Sequence, residues 1–175
     1  MSAEIRPAMG WKQVLVLANN EVELLITLDV GPRIISYRHQ GGLNVFKTFD
    51  DQLGTSGEAD WQIRGGHRLW MAPETTLSYF PDNQPVSFTL MDENHVCLRT
   101  PAEAESGIEK EIEIILDKKT SSVTLNHSIS ATKDMSSGIA PWGLTVLKAG
   151  GKAIIPMPPR SLHPNDLSAT ERNAG

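Results

Sequence analysis

The side chains best suited to chemistry lie close together, in the segment from Trp61 to Glu74. Two tryptophans, two arginines, a histidine and a glutamate surround a glycine pair there, namely Trp61, Arg64, Gly65-Gly66, His67, Arg68, Trp70 and Glu74. Sugar recognition needs a flat apolar ring against the C–H face of a pyranose and charged groups that hydrogen-bond its hydroxyls. The segment supplies both, so we predict that Arg64, His67, Arg68, Trp70 and Glu74 contact a carbohydrate.

The same residues admit a structural interpretation. In it, Trp61 and Trp70 are partly buried residues of a β-sandwich, and Arg68 forms a surface ion pair with Glu74 that contributes little. We expect His67 to be exposed in either case, because it follows a flexible glycine pair from which a side chain can reach a cleft.

Two residues further along the chain also admit two interpretations. His127 lies in a segment, residues 122–131, whose alternation places it on the apolar face with Val123, Leu125, Ile129 and Ala131. There it acts as a general acid near neutral pH, or it is a core histidine bonded to a backbone carbonyl. Trp142, between Pro141 and Gly143, is either a platform for a sugar ring or a core residue, and size favours the core.

The sequence lacks the motifs of metal sites, nucleotide-binding loops and serine hydrolases. The five histidines never have the close spacing of simple metal motifs, and only His95 shares a strand face with the single cysteine, Cys97. Neither a dinucleotide-binding nor a phosphate-binding glycine loop is present, and no Gly-x-Ser-x-Gly elbow occurs. We therefore expect neither a metal nor a cofactor.

Composition narrows the class of partner. The 175 residues carry 16 Lys and Arg against 21 Asp and Glu, a net charge of -5, so no general cationic surface faces nucleic acid. No basic-then-apolar leader and no membrane-spanning apolar run are present, and the lone Cys97 forms no intrachain disulfide. These features favour the cytoplasm, with neither nucleic acid nor membrane as a partner.

The elements that must position these residues are short apolar segments separated by Gly, Pro, Asn and Asp. This pattern predicts an all-β fold, an antiparallel β-sandwich. We predict a hairpin at Asn19-Asn20, where Asn tolerates the left-handed conformation, and a long exposed loop over residues 48–62. The predicted strands cover residues 14–17, 22–28, 33–37, 43–46, 86–91, 95–100, 108–116, 122–131, 139–147 and 152–155. One domain would span residues 1–160, followed by a polar tail over 161–175.

Four motifs carry a resemblance to a known family. The segments are Gly31-Pro-Arg-Ile-Ile-Ser-Tyr37, Gly41-Gly-Leu-Asn-Val45, Ile63-Arg-Gly-Gly66 and Ala140-Pro-Trp-Gly-Leu-Thr-Val146. Together they resemble the galactose mutarotase-like superfamily, closest to uncharacterised members with Gly-Gly-His-Arg-Leu-Trp followed by Pro-Glu. The resemblance covers about residues 10–167. It implies a large antiparallel sandwich that binds a sugar in a cleft across one sheet.

The resemblance also implies roles for residues. In aldose 1-epimerases a Glu deprotonates the anomeric hydroxyl while a His protonates the ring oxygen. Asn126-His127-Ser128 matches the Asn-His-Ser/Thr of that motif, which makes His127 the catalytic candidate, although Ile129-Ser130-Ala131 replaces the aromatic residues that should follow. A rival alignment on Ala140-Pro141-Trp142 leaves no catalytic His. Arg64 resembles the cleft arginine of the hexose-phosphate epimerase branch and would bind substrate.

The family's catalytic Glu lies far towards the C-terminus, and no acidic residue here matches it. We therefore expect the N-terminal part of a truncated sandwich, whose unfinished sheet favours self-association. The expected partner is a sugar or a sugar phosphate, with 1-epimerase activity in the full-length family member. The alternative is a non-catalytic β-sandwich that contacts another protein, or an inactive fragment.

Overall fold

A computed structural model describes residues 2–135 and 138–156. Strand residues dominate it, and helical structure is confined to two short 3-10 helices, Asp50–Gln52 and Thr76–Tyr79, in the described ranges. The strands are β1 (Ser2–Ala8), β2 (Trp11–Ala18), β3 (Val22–Thr27), β4 (Arg33–His39), β5 (Gly66–Ala72), β6 (Ser87–Asp92), β7 (His95–Arg99), β8 (Ile108–Leu116), β9 (Val123–Ala131) and β10 (Ala140–Val146). None of these elements is a helix long and apolar enough to cross a membrane.

The strands form two antiparallel sheets that pack as a sandwich, as predicted. One sheet has six strands in the order β1-β2-β3-β4-β5-β10, and the other has four in the order β6-β7-β8-β9. The inward faces of both sheets contribute to one core. Its fully buried members include Leu15, Leu24 and Ile26 from the larger sheet and Val96, Leu98, Ile112 and Ile114 from the smaller one. Each such side chain contributes about 1.5–3 kcal/mol by leaving water.

Alternation of residue type produces the smaller sheet. In β8 the residues Ile108, Ile112 and Leu116 are buried, and the glutamates between them lie on the outer face. Lys110 belongs to the buried face, where its ammonium group pairs with the Glu103 carboxylate. In β9 the partly buried positions include His127, which confirms that this histidine lies on the apolar side of its strand.

The predicted hairpin at Asn19 is present, but a left-handed backbone at Asn19 is not what produces the turn. Asn19 does not adopt a left-handed conformation. Its side-chain Oδ1 instead accepts hydrogen bonds from the backbone N–H groups of Glu21 and Val22, at 2.8 and 2.9 Å. The side chain therefore shapes the turn by replacing a backbone acceptor.

Two predicted strands are wrong and two strands were missed. Residues 43–46 form only an isolated bridge, Phe46 to Leu147, because their backbone hydrogen bonds are divided between Tyr37 of β4 and Lys148 after β10. Residues 152–155 are exposed and form no strand. The missed strands are β1, whose polar sequence hides its pairing with β2, and β5, which begins within the glycine pair of the predicted site segment. The predicted tail over 161–175 lies outside the described residues.

The outward face of the six-stranded sheet is also packed. A second core there contains Trp11, Val14, Val16, Leu25, Val30 and Ile35. Leu53 packs against it, and the Trp11 indole donates a hydrogen bond to the Thr55 carbonyl at 3.1 Å. Residues 48–62 therefore contain no strand, as predicted, but part of this segment covers the sheet and is not freely exposed.

Candidate functional site

Strand β5 separates the predicted site residues onto two faces of the six-stranded sheet. Leu69 faces inward into the core between the sheets, and His67 contacts His127 of the smaller sheet. Since side chains alternate along a strand, Arg68 and Trp70 face outward. The structure thus brings Arg68 together with Trp70 and holds His67 apart from both.

Arg68 is enclosed by aromatic rings on the outward face. Its guanidinium carbon lies 4.3 Å from the ring centre of Trp70 and 5.1 Å from that of Trp61. Tyr79 stands edge-on to both indoles, at 5.1 and 5.7 Å between ring centres. We refer to Trp61, Trp70 and Tyr79 as the aromatic cover. Cation–π contacts of this kind hold a guanidinium in a fixed plane.

The buried carboxylate of Asp82 lies between the guanidinium groups of Arg33 and Arg68. Asp82 Oδ2 is 3.2 Å from an Nη2 atom of Arg33 and 3.2 Å from that of Arg68. Arg33 is opposite Arg68 in the β4–β5 register, so both project to the same face. Arg33 also donates to the carbonyls of Ile63 and Gly65, at 2.9 and 2.7 Å.

Burial and neighbouring charges shift the pKa values of Asp82 and Arg33 in opposite directions. Burial would raise the pKa of Asp82, but the charges of Arg68 and Arg33 outweigh it and hold that pKa below its ordinary value. Burial lowers the pKa of Arg33 to about 10, although Asp82 partly offsets it. Burial likewise lowers the pKa of Arg68. The arginines therefore stay charged at neutral pH at an electrostatic cost.

Arg64, predicted to face a cleft, is 1% exposed. Its Nη2 atom lies 2.7 Å from Glu58 Oε2, and its backbone N–H donates to the Gln52 side chain at 2.7 Å. Burial would raise the pKa of Glu58, but hydrogen bonds from Thr55 and Arg64 keep it below its usual value. We refer to Arg33, Arg64, Arg68, Glu58 and Asp82 as the arginine cluster.

The glycine pair allows this cluster to form. Gly65 and Gly66 have φ of 90° and 73°, and a Cβ at either would lie 2.0 Å from the Lys47 carbonyl oxygen or 2.2 Å from that of Ile34. Arg64 itself has φ of 49°, in the left-handed region that non-glycine residues rarely adopt. The chain thus makes a tight turn that delivers Arg64 and Arg68 to the same side.

His67 and His127 form a separate group between the sheets. Their Nε2 atoms are 2.8 Å apart, and His67 Nδ1 is 2.8 Å from Thr145 Oγ1. The expectation that His67 is exposed is wrong, since only 7% of it is accessible. Burial, with smaller contributions from His127 and Arg33, lowers the pKa of His67 to about 4, and burial lowers that of His127. Both rings are neutral at pH 7.

Exposed groups on the outward face lie at the edge of the aromatic cover. Trp142 is opposite Trp70 in the β5–β10 register and is 41% exposed, so its assignment to the core is wrong. Strand β10 leaves this ring uncovered because it is the last strand of its sheet. Tyr79 is half exposed, and its hydroxyl donates to the Glu74 carboxylate, which raises the pKa of Tyr79. Glu74 is thus bonded to Tyr79, and the proposed Arg68–Glu74 surface pair is replaced by Arg68–Asp82.

Several functional candidates escaped the sequence analysis, namely Arg33, Glu58, Tyr79, Asp82 and Thr145. Arg33 interrupts an apolar strand motif, and a charge at such a position was the available signal. Asp82 lies in a Pro-Asp-Asn turn, where an aspartate is ordinary, so nothing in the sequence marked its burial. Its role depends on the tertiary contact with two strands.

Two cavities flank the loop that carries Asp82. One, of about 270 Å³, is lined by Gly31, Phe80, Asp82 and Glu103 among others, and the second, of about 370 Å³, by Trp11, Asp29 and Asn83 among others. Within residues 2–135 and 138–156, no three His, Cys, Asp or Glu side chains are grouped to hold a metal ion. The arrangement is suited to binding through rings, guanidinium groups and carboxylates.

Comparison with known proteins adds no relative: no family model, no curated protein and no solved structure matches this chain.

Proposed function

We propose that this chain is a carbohydrate-binding, mutarotase-like β-sandwich domain that binds a sugar on the outward face of its six-stranded sheet. The observation that carries the proposal is the partly exposed ring of Trp142, opposite Trp70, on the face that holds the arginine cluster. A half-exposed indole on a rigid strand gives a pyranose a flat apolar platform. Tyr79 of the aromatic cover and Glu74, which is bonded to it, are both exposed and supply acceptors for sugar hydroxyls.

The buried residues serve this site as a rigid base. Arg68 is fixed by two indoles and by Asp82, and Asp82 is fixed in turn by Arg33. Residues held in this way keep the surface above them in one geometry, which reduces the ordering cost of binding. Arg64 therefore supports the platform from below, and Glu74 contacts the ligand directly.

Catalysis is assigned to longer family members and is not part of the proposal for this chain. Epimerisation needs an acid and a base that converge on one pyranose. His127 faces inward against His67, whereas Arg68 and Trp70 face outward. Sugar binding on the outward face accordingly proceeds without His127. For localisation we propose the cytoplasm, because the single Cys97 fits a reducing compartment.

The test is a titration of the protein with methyl glycosides of common hexoses, followed by calorimetry. The variant Trp142→Ala removes the platform and should weaken binding about five- to tenfold, since a stacked ring contributes about 1 kcal/mol beyond its area. The control Leu90→Ala alters a residue of similar exposure, 43%, on the other sheet and should leave affinity unchanged. Affinity that survives Trp142→Ala would place the sugar elsewhere.

A second candidate function, self-association, is favoured by exposed apolar side chains. Leu43, Val45 and Leu147 are 85%, 43% and 62% exposed at one end of the sandwich. An apolar groove of about 190 Å³, lined by Leu24, Ile34, Tyr37, Phe46, Val123 and Leu125, opens between the sheets. A second copy of the chain would cover these surfaces. Sedimentation across a concentration series tests it: a monomer at every concentration would exclude self-association, and Leu147→Asp should weaken any dimer that forms.

A further inference from the structure

The buried groups of the outward face carry an excess of hydrogen-bond donors. In the described part of the chain, eight buried side-chain nitrogen or oxygen atoms lack a partner, and seven of these are N–H donors. All seven belong to one neighbourhood: Arg33 Nε, Trp61 Nε1, Arg64 Nε, Trp70 Nε1 and the Nε, Nη1 and Nη2 atoms of Arg68. The eighth atom, Asn94 Oδ1, lies in the β6–β7 turn.

Arg68 is the centre of this excess. The residue is 3% exposed, and none of its three guanidinium nitrogens makes a hydrogen bond. Its Nη2 atom is 3.2 Å from Asp82 Oδ2, which is an ion-pair distance, but the N–H direction is unsuited to a hydrogen bond. Buried donors are almost always paired in folded proteins, so a concentration of unpaired ones indicates a missing acceptor.

The net charge of the arginine cluster also indicates a missing anion. The arginine cluster contains three guanidinium groups and two carboxylates, which leaves one positive charge without a counter-ion. The nearby Lys110–Glu103 pair is neutral as a unit. Glu74 is exposed and bonded to Tyr79, so solvent screens it from the buried arginines. His67 is neutral at pH 7.

From these donors and this charge we infer that the sugar bound on the outward face is acidic, a hexuronate whose carboxylate accepts hydrogen bonds from Arg68 and from the indole N–H groups of Trp61 and Trp70. The inference rests on the proposed function and names the ligand class of that same site. A carboxylate is planar, carries one negative charge and only accepts hydrogen bonds, which matches a guanidinium fork and the single excess charge. A phosphate monoester, with about -1.5 to -2 charges, would exceed that balance beside Asp82 and Glu58.

Two of the three aromatic residues that surround Arg68, Trp61 and Tyr79, lie outside the strands. Trp61 lies in the irregular segment that precedes β5, and Tyr79 is the last residue of a 3-10 helix. A carboxylate reaches the guanidinium when the Trp61 indole moves aside. Binding should therefore change the indole fluorescence of the protein as well as release heat.

The decisive experiment compares matched ligands on the whole chain. Methyl glucuronide and methyl galacturonide are titrated by calorimetry beside their uncharged amides, the corresponding methyl glycosides and glucose 6-phosphate. We expect one uronide to bind at least tenfold more tightly than its amide, because charge-assisted hydrogen bonds are roughly twice as strong as neutral ones. Raising the salt concentration should reduce the difference.

Three other outcomes would each overturn part or all of the proposal. Equal affinity for a uronide and its amide would overturn the acidic ligand and leave sugar binding in place. Tighter binding of glucose 6-phosphate than of any uronide would overturn the carboxylate and favour a phosphate. If no sugar of either kind binds, the proposed function fails together with the inference.

A variant pair locates the charge that is responsible. Arg68→Gln keeps an amide donor but removes the charge, and it should reduce the preference of the uronide over its amide to about twofold or less. The control Arg99→Gln changes an arginine that pairs with Glu111 on the outer face of the smaller sheet, and the preference should persist. If Arg68→Gln does not fold, Trp61→Phe removes one indole donor and should weaken uronide binding more than amide binding. A full preference in Arg68→Gln would overturn the assignment.

Discussion

The Nε2 atoms of His67 and His127 lie 2.8 Å apart, so one hydrogen bond joins strand β5 of the larger sheet to strand β9 of the smaller one. In such a contact one ring donates and the other accepts, which requires at least one neutral ring. Two protonated rings would repel across the interface, and that links the stability of the sandwich to pH.

The first prediction is that lowering the pH destabilises the folded chain through His67. The pKa of His67 is about 4 in the folded chain and 6.5 in an unfolded one, so the unfolded state binds more protons between these values. Stability is therefore complete above pH 6.5 and falls as the pH is lowered towards 4. Urea unfolding at pH 7 and pH 5 should differ by about 1–2 kcal/mol from this histidine alone.

The variant His67→Gln should reduce that difference between pH 7 and pH 5, whereas the control His39→Gln, which alters an exposed histidine at the end of β4, should not. A wild-type unfolding free energy that is flat between pH 7 and pH 5 would contradict the assigned burial of His67.

A second prediction concerns Thr145, whose hydroxyl lies 2.8 Å from His67 Nδ1. The variant Thr145→Val keeps the shape of the side chain and removes that hydrogen bond, which should cost about 0.5–1.5 kcal/mol in unfolding free energy because Thr145 itself is exposed. Thr124→Val, on the exposed face of β9, is the matched control and should change stability by less than about 0.5 kcal/mol. Equal effects of the two variants would show that the contact contributes nothing.

The regular part of the fold was predictable, because alternation alone reports which face of a strand is buried. Strand β8 begins and ends where the sequence predicts, and His127 lies on the apolar face. Strand β1 was missed since its pairing with β2 depends on backbone hydrogen bonds and leaves little trace in residue type. Residues 43–46 have the composition of a strand, but their backbone hydrogen bonds are divided between Tyr37 and the residues that follow β10.

The site was predictable in composition but not in arrangement. Segment 61–74 does hold Arg64, Arg68 and Trp70 near one another, yet the period of two in β5 sends His67 to the opposite face. That division follows from the strand assignment, which the glycine pair obscured. Asp82, the carboxylate between two arginines, comes from a distant turn, and only the tertiary fold shows it.

A third prediction tests whether the two faces act separately. His127→Asn alters the inward histidine pair, whereas the proposed sugar platform at Trp142 lies on the outward face. The variant should lower stability but leave the affinity for the best-binding methyl glycoside within about twofold of the wild type, measured by calorimetry below the unfolding temperature. A loss of binding larger than tenfold would bring His127 into the sugar site and restore the catalytic interpretation.

A fourth prediction concerns the carboxylate of Asp82. Asp82→Asn leaves Arg33 and Arg68 buried without their shared counter-charge, and breaking a buried ion pair on one side costs about 3–5 kcal/mol. Urea unfolding measures it. The control Asp92→Asn removes an exposed carboxylate 3.6 Å from Lys118 and should cost less than about 1 kcal/mol. A cost for Asp82→Asn within the range of the control would mean that the arginines do not depend on this carboxylate.

The last prediction uses two glycines with nearly the same backbone conformation. Gly66 has φ of 73° and a Cβ there would meet the Ile34 carbonyl oxygen at 2.2 Å, whereas Gly41 has φ of 68° and open space around it. Both Ala variants incur the left-handed penalty of about 1–2 kcal/mol, but only Gly66→Ala must also push β4 away from β5. Gly66→Ala should therefore destabilise the chain by at least about 2 kcal/mol more than Gly41→Ala in urea. It should also disturb the contact of Arg33 with Arg68 across those strands, so its indole fluorescence should shift while that of Gly41→Ala does not. Similar destabilisation by the two variants would contradict the close approach of β4 to the glycine pair.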